Sequence, residues 1–446
     1  MDERIGRVDP QMAALIEGEE FGQASTLMMI ASENHPSRAV EAAVGSVLGS
    51  KYSEGYPGKR FYQGQEFTDG VERLTRERAM ALFGVPYVNV QPYSGSPANM
   101  EVYAALLEPG DTIMGLSLDA GGHLTHGAAA SRTSKFFRSV QYGVTPDGYI
   151  DYDEVARIAH EARPGIIVAG TTAYARALDW ERFSEIAKES GAILMADISH
   201  VAGLVVGEAY PSPVPYVDVV TTTTHKTLRG PRGAMIMVTE KGMARDNKMG
   251  SKIDSAVFPG MQGGPHMNSI AGIGIALEEA SAEGFKQYAK QTVRNAQAMA
   301  EWLGRFGFDI VTGGTDSHLV LVDLRNKGIL GRTAAEGLEE AGIVLNRNAV
   351  PFDPNPPFYP SGLRLGTAAL ASRGMGEAQM YQVATWICQA VDGMSATRQQ
   401  LFGDQFDETK IANRTRVIKG TPVIPRVRGL VRNLCAAYPL KESYLD

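Results

Sequence analysis

The sequence contains 446 residues, of which 44% are hydrophobic, and its 43 basic and 50 acidic side chains give a net charge of −7. A chain of this length exceeds the size at which one hydrophobic core usually stops growing, so more than one domain is expected. No run of like charges marks a nucleic-acid or anionic-membrane surface, which favours a small-molecule partner.

The cysteines and the apolar stretches indicate a cytoplasmic protein. Cys388 and Cys435 form no CxxC spacing, so neither a disulfide framework nor a thiolate metal site is expected. The first twenty residues lack the features of a signal or transit peptide. The longest apolar stretch, residues 191–210, is broken by glycines and contains Asp197 and His200, which favours buried strands over a membrane span.

Between about residues 70 and 285, short apolar runs alternate with helical patterns. The runs read PYVNV, DTIMGL, GIIVAG, AILMAD, VDVVTTT and GAMIMV. Continuously apolar strands separated by amphipathic helices predict a mainly parallel α/β sheet that is covered on both faces. After a long helical pattern near 285–305 the strands become shorter, which predicts a smaller α+β domain.

Loop segments on both sides of the predicted body could also carry function. The glycine-rich segment 51–64 places Glu54 among phenols, a candidate for proton transfer; a solvated turn is the alternative. A second glycine-rich segment, 258–265, reads as a structural turn. The proline-rich segment 346–362 is expected to be an extended loop that leads to Arg364 on a short strand.

A possible anion site and several histidines follow in the chain. Residues 94–99, SGSPAN, start a predicted helix, whose free amides could bind a phosphate, although most such caps bind nothing. The motif GGHLTHG contains His123 and His126, and His200 lies further on. No third ligand at a familiar spacing accompanies them, so no metal is predicted. They could stack on a planar cofactor or be structural.

Two polar residues end predicted strands. Asp197 closes AILMAD, at the edge where open α/β sheets bind ligands, but a helix-capping aspartate is equally compatible with the local pattern. Lys226 follows the run of threonines after VDVV. Burial at such a strand end lowers the pKa of an amine and makes it nucleophilic, whereas a solvated lysine is the alternative.

These motifs, taken in order, resemble those of the serine hydroxymethyltransferases. They are IASEN at 30–34, KYSEGYPGKRFYQG, NVQPYSGSPAN, GGHLTHG, TTTTHKTLRGPRG, FPGMQGGP and SGLRLGTAA. The match runs from about residue 10 to 440. The resemblance implies the fold type I architecture of pyridoxal-phosphate enzymes, an α/β domain with a mainly parallel sheet plus a smaller α+β domain, and a homodimer with shared active sites.

The resemblance also implies a division of the chain. Residues 1–60 would form an N-terminal segment that contributes to the dimer and the active site. Residues 61–285 would form the large cofactor-binding domain, and residues 286–446 the small C-terminal domain.

The cofactor contacts implied by the resemblance centre on Lys226, which would form an aldimine with pyridoxal 5'-phosphate. Asp197 would pair with the pyridinium nitrogen, and His123 would stack on the ring. The phosphate is assigned to Ser94, Gly95 and Ser96, with Gly264 from the neighbouring subunit. Supporting positions on the cofactor side are Thr172, His200, Thr223, His225 and Arg232.

The substrate contacts implied by the resemblance centre on Arg364, which would hold the amino-acid carboxylate together with Ser32 and Tyr52. Glu54 would transfer protons. The folate positions are Tyr62, Asn348, Leu118 and Gly122. The catalytic set implied is Lys226, Glu54, Asp197, His123, Tyr62 and Thr223.

The implied activity is that of a glycine hydroxymethyltransferase, which reversibly moves the hydroxymethyl carbon of serine to tetrahydrofolate and yields glycine and 5,10-methylenetetrahydrofolate. The main alternative is a folate-independent aldolase or transaldolase that acts on threonine, other β-hydroxy amino acids or α-methylserine. An inactive binding protein is disfavoured, because the lysine, aspartate and arginine are all present. Departures from the commoner family pattern, which bear on folate use and loop geometry, are Phe61, Gln63, Ala175 and Ala368.

Overall fold

The computed structural model describes residues 3–444; residues 1–2 and 445–446, which the predicted terminal segments include, lie outside the described range. The strands are β1 Leu27–Met28, β2 Gly55–Tyr56, β3 Lys59–Arg60, β4 Tyr87–Asn89, β5 Thr112–Leu116, β6 Arg138–Tyr142, β7 Ile166–Gly170, β8 Ile193–Asp197, β9 Val219–Thr223, β10 Ala234–Val238, β11 Asp309–Ile310, β12 Leu319–Asp323, β13 Ile343–Val344, β14 Asn346–Asn348 and β15 Gly362–Gly366.

Helices connect and cover these strands. They are α1 Glu3–Val8, α2 Pro10–Ser25, α3 Arg38–Val44, α4 Glu66–Phe83, α5 Gly95–Leu106, α6 Thr133–Phe136, α7 Tyr152–Ala162, α8 Trp180–Ser190, α9 Ala202–Val206, α10 Glu240–Arg245, α11 Met249–Ser255, α12 Met267–Ser281, α13 Glu283–Arg305, α14 Gly331–Glu340, α15 Ala368–Ser372, α16 Glu377–Phe402, α17 Ile411–Gly420 and α18 Val423–Ala437. Within residues 3–444, none of them has both the length and the apolarity needed to cross a membrane.

The central sheet has seven strands in the order β4-β10-β9-β8-β7-β5-β6. Strands β5 to β9 are mutually parallel, and β10 runs antiparallel to both of its neighbours. Parallel neighbours need crossover connections, so helices such as α7 and α8 lie between successive strands and cover the sheet. The predicted mainly parallel α/β sheet is confirmed.

Each predicted apolar run contains a strand of this sheet, and both faces are buried. In β7, Ile166 and Val168 join the apolar cluster on one face, whereas Ile167 and Ala169 join the cluster on the other. Strand β6 is absent from the predicted runs. Its sequence RSVQY is polar and largely solvent-accessible, as an edge strand allows, so it leaves no continuous apolar signal.

A second, antiparallel sheet with the order β11-β12-β15-β14 forms the smaller α+β unit. Helix α13 joins the two units, since Phe285 packs in the core of the large sheet and Met299 in that of the small one. The N-terminal strand β1 pairs with β13, and Leu27 is buried in the small core. The division at residues 60 and 285 stays a prediction.

The proline-rich segment differs from the expectation at its start. Asn346–Asn348 forms β14, which pairs with β15 so that Asn346 lies opposite Arg364. The polar sequence NRN carries no apolar pattern, and its strand character comes from this pairing. Arg364 lies on a short strand, as predicted.

Candidate active site

A cavity of about 290 Å³ opens where β7, β8 and β9 end. Asp197 is the last residue of β8 and Thr223 the last of β9. Carboxyl ends of parallel strands form the crevice in which open α/β sheets bind ligands. The lining residues are Ser32, Gly95, His123, Thr171, Thr172, Asp197, Ser199, His200, Thr223, Lys226 and Arg364.

Asp197 is buried, yet it remains an anion. One carboxylate oxygen accepts hydrogen bonds from Asn99 Nδ2 at 2.9 Å and from His126 Nε2 at 3.0 Å. The other accepts from the Ser199 backbone N–H at 3.1 Å. Burial opposes the charge, but the hydrogen bonds and the attraction of the imidazoles of His126 and His123 hold the pKa of Asp197 well below its ordinary value.

The donors around Asp197 are themselves fixed. The His123 backbone N–H donates to His126 Nδ1 at 3.2 Å, so the proton of that ring lies on Nε2, toward Asp197. Asn99 is oriented by Thr221 Oγ1, which donates to its amide oxygen at 2.8 Å. The hydrogen-bond donors to the carboxylate are therefore held in place before any ligand binds.

Lys226 projects its amine into the same cavity. Its Nζ donates to Thr223 Oγ1 at 2.8 Å. Burial, together with the positive charges of Arg364 and Arg232, lowers the pKa of Lys226 to about 8, although the charge of Asp197 acts in the opposite direction. The amine is therefore uncharged more readily than an ordinary lysine, as a nucleophilic role requires.

Arg364 lies across the cavity and makes no ion pair within residues 3–444. Its Nε donates to Asn346 Oδ1 at 3.0 Å, and its Nη1 donates to the Thr172 carbonyl at 2.8 Å. Burial lowers its pKa to about 10. Because Nε and one N–H of Nη1 are occupied, Nη2 and the second N–H of Nη1 remain for a carboxylate.

The cavity contains His123, which is half-buried, and His200, which is buried. Burial lowers the pKa of His123 to about 4, and its Nδ1 accepts from the hydroxyl and the N–H of Thr125 at 2.7 and 3.2 Å. Burial also lowers the pKa of His200 well below its ordinary value. His318 Nε2 donates to the Ala31 carbonyl at 3.1 Å and lies 3.3 Å from Nδ1 of His200.

A second group of predicted residues lies outside this cavity. Tyr62 Oη donates to Glu54 Oε2 at 3.0 Å, and this bond raises the pKa of Tyr62. The rings of Tyr52 and Tyr62 meet edge to face with centroids 5.7 Å apart. A Cβ on Gly264 would lie 3.3 Å from the Tyr52 ring. The tyrosines are 60% and 47% exposed. The structure thus brings Tyr52, Glu54, Tyr62 and Gly264 together, but not next to Lys226.

The side chain of Arg60 connects the loop that carries Glu54 to helix α4. This buried guanidinium donates to the carbonyls of Ser53 and Gly55, on either side of Glu54, at 2.7 and 2.8 Å. It also pairs with Asp69 at 2.8 Å and with Glu72 at 2.6 Å, both on α4. The backbone at Glu54 is therefore held on a helix of the large unit.

The remaining predicted positions lie beside a neighbouring cavity of about 350 Å³, which is lined by Ser117, Asp119 and Ala349 among others. These are chain neighbours of Leu118 and Asn348. Asn348 donates to the Ala349 carbonyl at 2.7 Å, and Leu118 is exposed. A side chain at Gly122 would collide with the Leu116 carbonyl, so the close approach of the backbone requires glycine there.

Comparisons with known proteins agree with this geometry. A family model described as serine hydroxymethyltransferase matches residues 5–387. A serine hydroxymethyltransferase of Acidothermus cellulolyticus is 52% identical over 411 residues, which cover 90% of this chain and 95% of that protein. One of Desulfotalea psychrophila is 55% identical over 83% of this chain and 86% of its own length. One of Sorangium cellulosum is 51% identical over 98% and 96%.

The chain belongs to the serine hydroxymethyltransferase family. The predicted resemblance, the fold type I class and the transferase class are confirmed. Members of this family use pyridoxal 5'-phosphate and tetrahydrofolate. The roles assigned to single residues remain predictions.

Three further features of this cavity bear on binding of the family's phosphate-bearing cofactor. Gly95, at the start of α5, lines the cavity and faces Thr223 so closely that a Cβ would lie 2.7 Å from its methyl group, so the close approach requires glycine there. Ser94 caps α5 without a side-chain hydrogen bond, and Ser96 is exposed. His225 Nδ1 is buried with no partner among the described residues, and burial lowers the pKa of His225 to about 3.

Several residues that contact the groups of the site were not predicted from the sequence. Asn99 lies within the SGSPAN motif, where its position near the start of the helix could have indicated that it faces the strand ends. Ser199 follows Asp197 by two residues, as a turn after a strand often requires. Asn346 could not be found, because its contact with Arg364 depends on strand register.

We expect the labelling of Lys226 by an amine-selective reagent in the cofactor-free protein to rise with pH. The pH of half-maximal labelling should lie near the pKa of this lysine, about 8. Below that pH the amine is protonated and unreactive. Competitive labelling read by mass spectrometry measures the midpoint. Arg364→Met removes a nearby positive charge and should move it upward. A wild-type midpoint near the ordinary lysine value of about 10.4 would contradict the burial argument.

Proposed function

We propose that this chain reversibly transfers the hydroxymethyl carbon of serine to tetrahydrofolate and yields glycine and 5,10-methylenetetrahydrofolate. The observation that carries the proposal is that the amine of Lys226, the carboxylate of Asp197 and the guanidinium of Arg364 line one cavity in a member of this family. The relatives bear the transferase name, which favours this activity over the folate-independent aldolase.

Pyridoxal 5'-phosphate, which would be held by Lys226, Asp197 and His123, supplies an electron sink for the electron pair left on the substrate. The fixed anion of Asp197 would keep a positive charge on the ring nitrogen opposite it. We assign the phosphate end to Ser94, Gly95 and the other residues at the start of α5, where the helix leaves backbone N–H groups unpaired. Thr172, His200, Thr223, His225 and Arg232 would support the ring and the lysine.

The chain's own residues would orient the amino acid. Arg364 offers its two terminal nitrogens to the carboxylate, and the hydroxyl of Ser32 lines the same cavity. The low pKa of His123, about 4, keeps its flat ring uncharged against the cofactor face. These contacts would hold the α-carbon of serine over the ring.

The proton transfers of the one-carbon step are assigned to Glu54, whose Oε2 accepts from Tyr62 Oη at 3.0 Å. We assign tetrahydrofolate to Tyr62 together with two segments, one that contains Leu118 and Gly122 and one that contains Asn348. The hydroxyl of Tyr62 would fix the carboxylate of Glu54 toward the carbon in transit.

We further propose a cytoplasmic homodimer in which each site combines two chains. The group formed by Tyr52, Glu54, Tyr62 and Gly264 does not line the Lys226 cavity of its own chain. Phe61, the chain neighbour of Tyr62, is 69% exposed, and Phe67 on α4 is 79% exposed, so this part of the chain presents large apolar side chains to solvent. A second copy that covers this surface would carry Glu54 to the Lys226 cavity of the first.

The purified protein, supplied with pyridoxal phosphate and serine, should form glycine rapidly only when tetrahydrofolate is present, because free formaldehyde is a poor leaving product without an acceptor. Glycine and methylenetetrahydrofolate can be measured together by chromatography, and protein without pyridoxal phosphate serves as the control. Serine left intact with folate while threonine is cleaved rapidly without it would overturn the transferase proposal in favour of the aldolase.

Subunit mixing tests the shared site. Lys226→Ala and Glu54→Gln should each be nearly inactive in folate-dependent transfer. If Glu54 serves the lysine of the other subunit, a mixed dimer regains one intact site, and an equal mixture recovers about a quarter of wild-type activity. Unmixed variants carried through the same dissociation and refolding are the control. No recovery in a mixture shown by mass to contain mixed dimers would place Glu54 with the lysine of its own chain.

A further inference from the structure

Arg229 is a buried cation with no carboxylate of residues 3–444 within 4 Å, although the charge of Glu279 acts on it from further away. It is 3% exposed, and its Nε has no hydrogen-bond partner in the described part of the chain. Burial lowers its pKa. A buried charge is costly unless something compensates for it, so its surroundings need a physical explanation.

Three aromatic rings surround this guanidinium. Its central carbon lies 3.8 Å from the ring centre of Tyr444, 4.1 Å from that of Tyr288 and 5.0 Å from that of Phe285. The negative faces of aromatic rings attract cations within about 6 Å, and more strongly when the cation is desolvated. We name these three rings the aromatic cage.

The backbone of Arg229 closes the turn that begins at Lys226. Its N–H donates to the Lys226 carbonyl at 3.1 Å, and the next N–H, that of Gly230, donates to the Thr224 carbonyl at 2.7 Å. Arg229 has a φ of 60°, a left-handed conformation that is unfavourable for a residue with a side chain. The side-chain contacts in the cage must offset this conformational cost.

The cage also connects to the N-terminal segment at the cavity. Tyr444 Oη donates to the His35 carbonyl at 3.0 Å. The neighbouring Asn34 donates from Nδ2 to the Lys226 carbonyl at 3.0 Å and is held by Ser372 Oγ, which donates to its amide oxygen at 2.7 Å. Tyr444 is therefore in contact with both segments that fix the main chain of Lys226.

We propose that Arg229 and Tyr444 are positioning residues that fix the Lys226 turn through the aromatic cage, so that the C-terminal segment of the chain controls the placement of the reactive amine. Neither side chain lines the cavity. The charges that act on the amine of Lys226 come from Asp197, Arg364 and Arg232, and none of these belongs to the cage. A change in the cage can reach Lys226 through the main chain of the turn and through Asn34, which donates to the Lys226 carbonyl.

The inference rests on the proposed function, because it takes Lys226 as the reacting amine. Its test needs no cofactor and no substrate. If the protein did not transfer the carbon of serine, hydrogen exchange in the turn could still be measured and interpreted. If the cage proved to have no effect on the turn, the proposed transfer to tetrahydrofolate would still stand.

Hydrogen exchange of the peptide that covers residues 224–232 tests the proposal. Tyr444→Leu keeps an apolar side chain but removes the ring face, so the Arg229 and Gly230 amides should exchange about tenfold faster. Tyr444→Phe keeps the ring and should stay within about twofold of wild type. Arg229→Met removes the cation of the same contact and should speed exchange by a similar factor. It provides the test if Tyr444→Leu does not fold.

The matched control is Phe402→Leu, which removes another ring that an arginine approaches, with Arg416 at 5.0 Å, in the small unit away from Lys226. It should leave exchange in 224–232 unchanged. The labelling midpoint of Lys226 should rise from about 8 in Tyr444→Leu, because water reaches a loosened turn, and should stay near 8 in the control.

Two results would overturn the proposal. In one, Tyr444→Leu and Phe402→Leu lower the unfolding temperature alike while turn exchange and the lysine midpoint stay at wild-type values, which leaves Tyr444 a purely structural role. In the other, the turn amides of Tyr444→Phe exchange as fast as those of Tyr444→Leu. The effect would then come from the hydrogen bond of the Tyr444 hydroxyl with His35 and not from the contact of the ring with Arg229.

Discussion

The negative charge of Asp197 is the constraint on which the rest of the site depends. A carboxylate buried without a cation would cost several kcal/mol and would normally take up a proton. Here the side chains of Asn99 and His126 and the N–H of Ser199 hold it ionised. The fold thereby maintains a fixed anion at the end of β8, and a ligand with a positive centre can occupy the cavity in front of it.

The other groups of the cavity are arranged around this anion. Lys226 is buried close enough for the charge of Asp197 to raise its pKa, yet burial and Arg364 keep that pKa near 8. Arg364 carries an uncompensated charge whose terminal nitrogens remain available. One cavity thus contains a fixed anion, a readily deprotonated amine and a free guanidinium, a combination suited to an amino acid bound beside an electron-poor ring.

Much of this arrangement could be predicted from local sequence. Asp197 and Lys226 follow apolar runs, and the ends of parallel strands meet at one edge, so their proximity follows from the alternation of strands and helices. Their chemical roles came from the resemblance of the motifs, because the local pattern alone allowed a cap and a solvated lysine. Contacts distant in sequence, such as Asn346 with Arg364 or Tyr444 with Arg229, leave no local signal.

The position of Glu54 is the clearest case of what local sequence cannot tell. The phenol-rich loop suggested a proton-transfer group, and Tyr62 does bond Glu54. However, Arg60 fixes this loop to α4 through two buried carboxylates, and Glu54 does not line the Lys226 cavity of its own chain. The proposed completion of the site by a second copy would account for this separation, and no pattern within a single segment reports it.

The charge of Asp197 is tested most directly by Asp197→Asn, which keeps the shape of the side chain but removes the anion. The measurement is exchange of the α-hydrogens of glycine with deuterated water, followed by nuclear magnetic resonance in protein saturated with pyridoxal phosphate. The account predicts a loss of rate of about a thousandfold, the size expected when a fixed charge no longer stabilises the reacting centre. Exchange within about tenfold of wild type would contradict it.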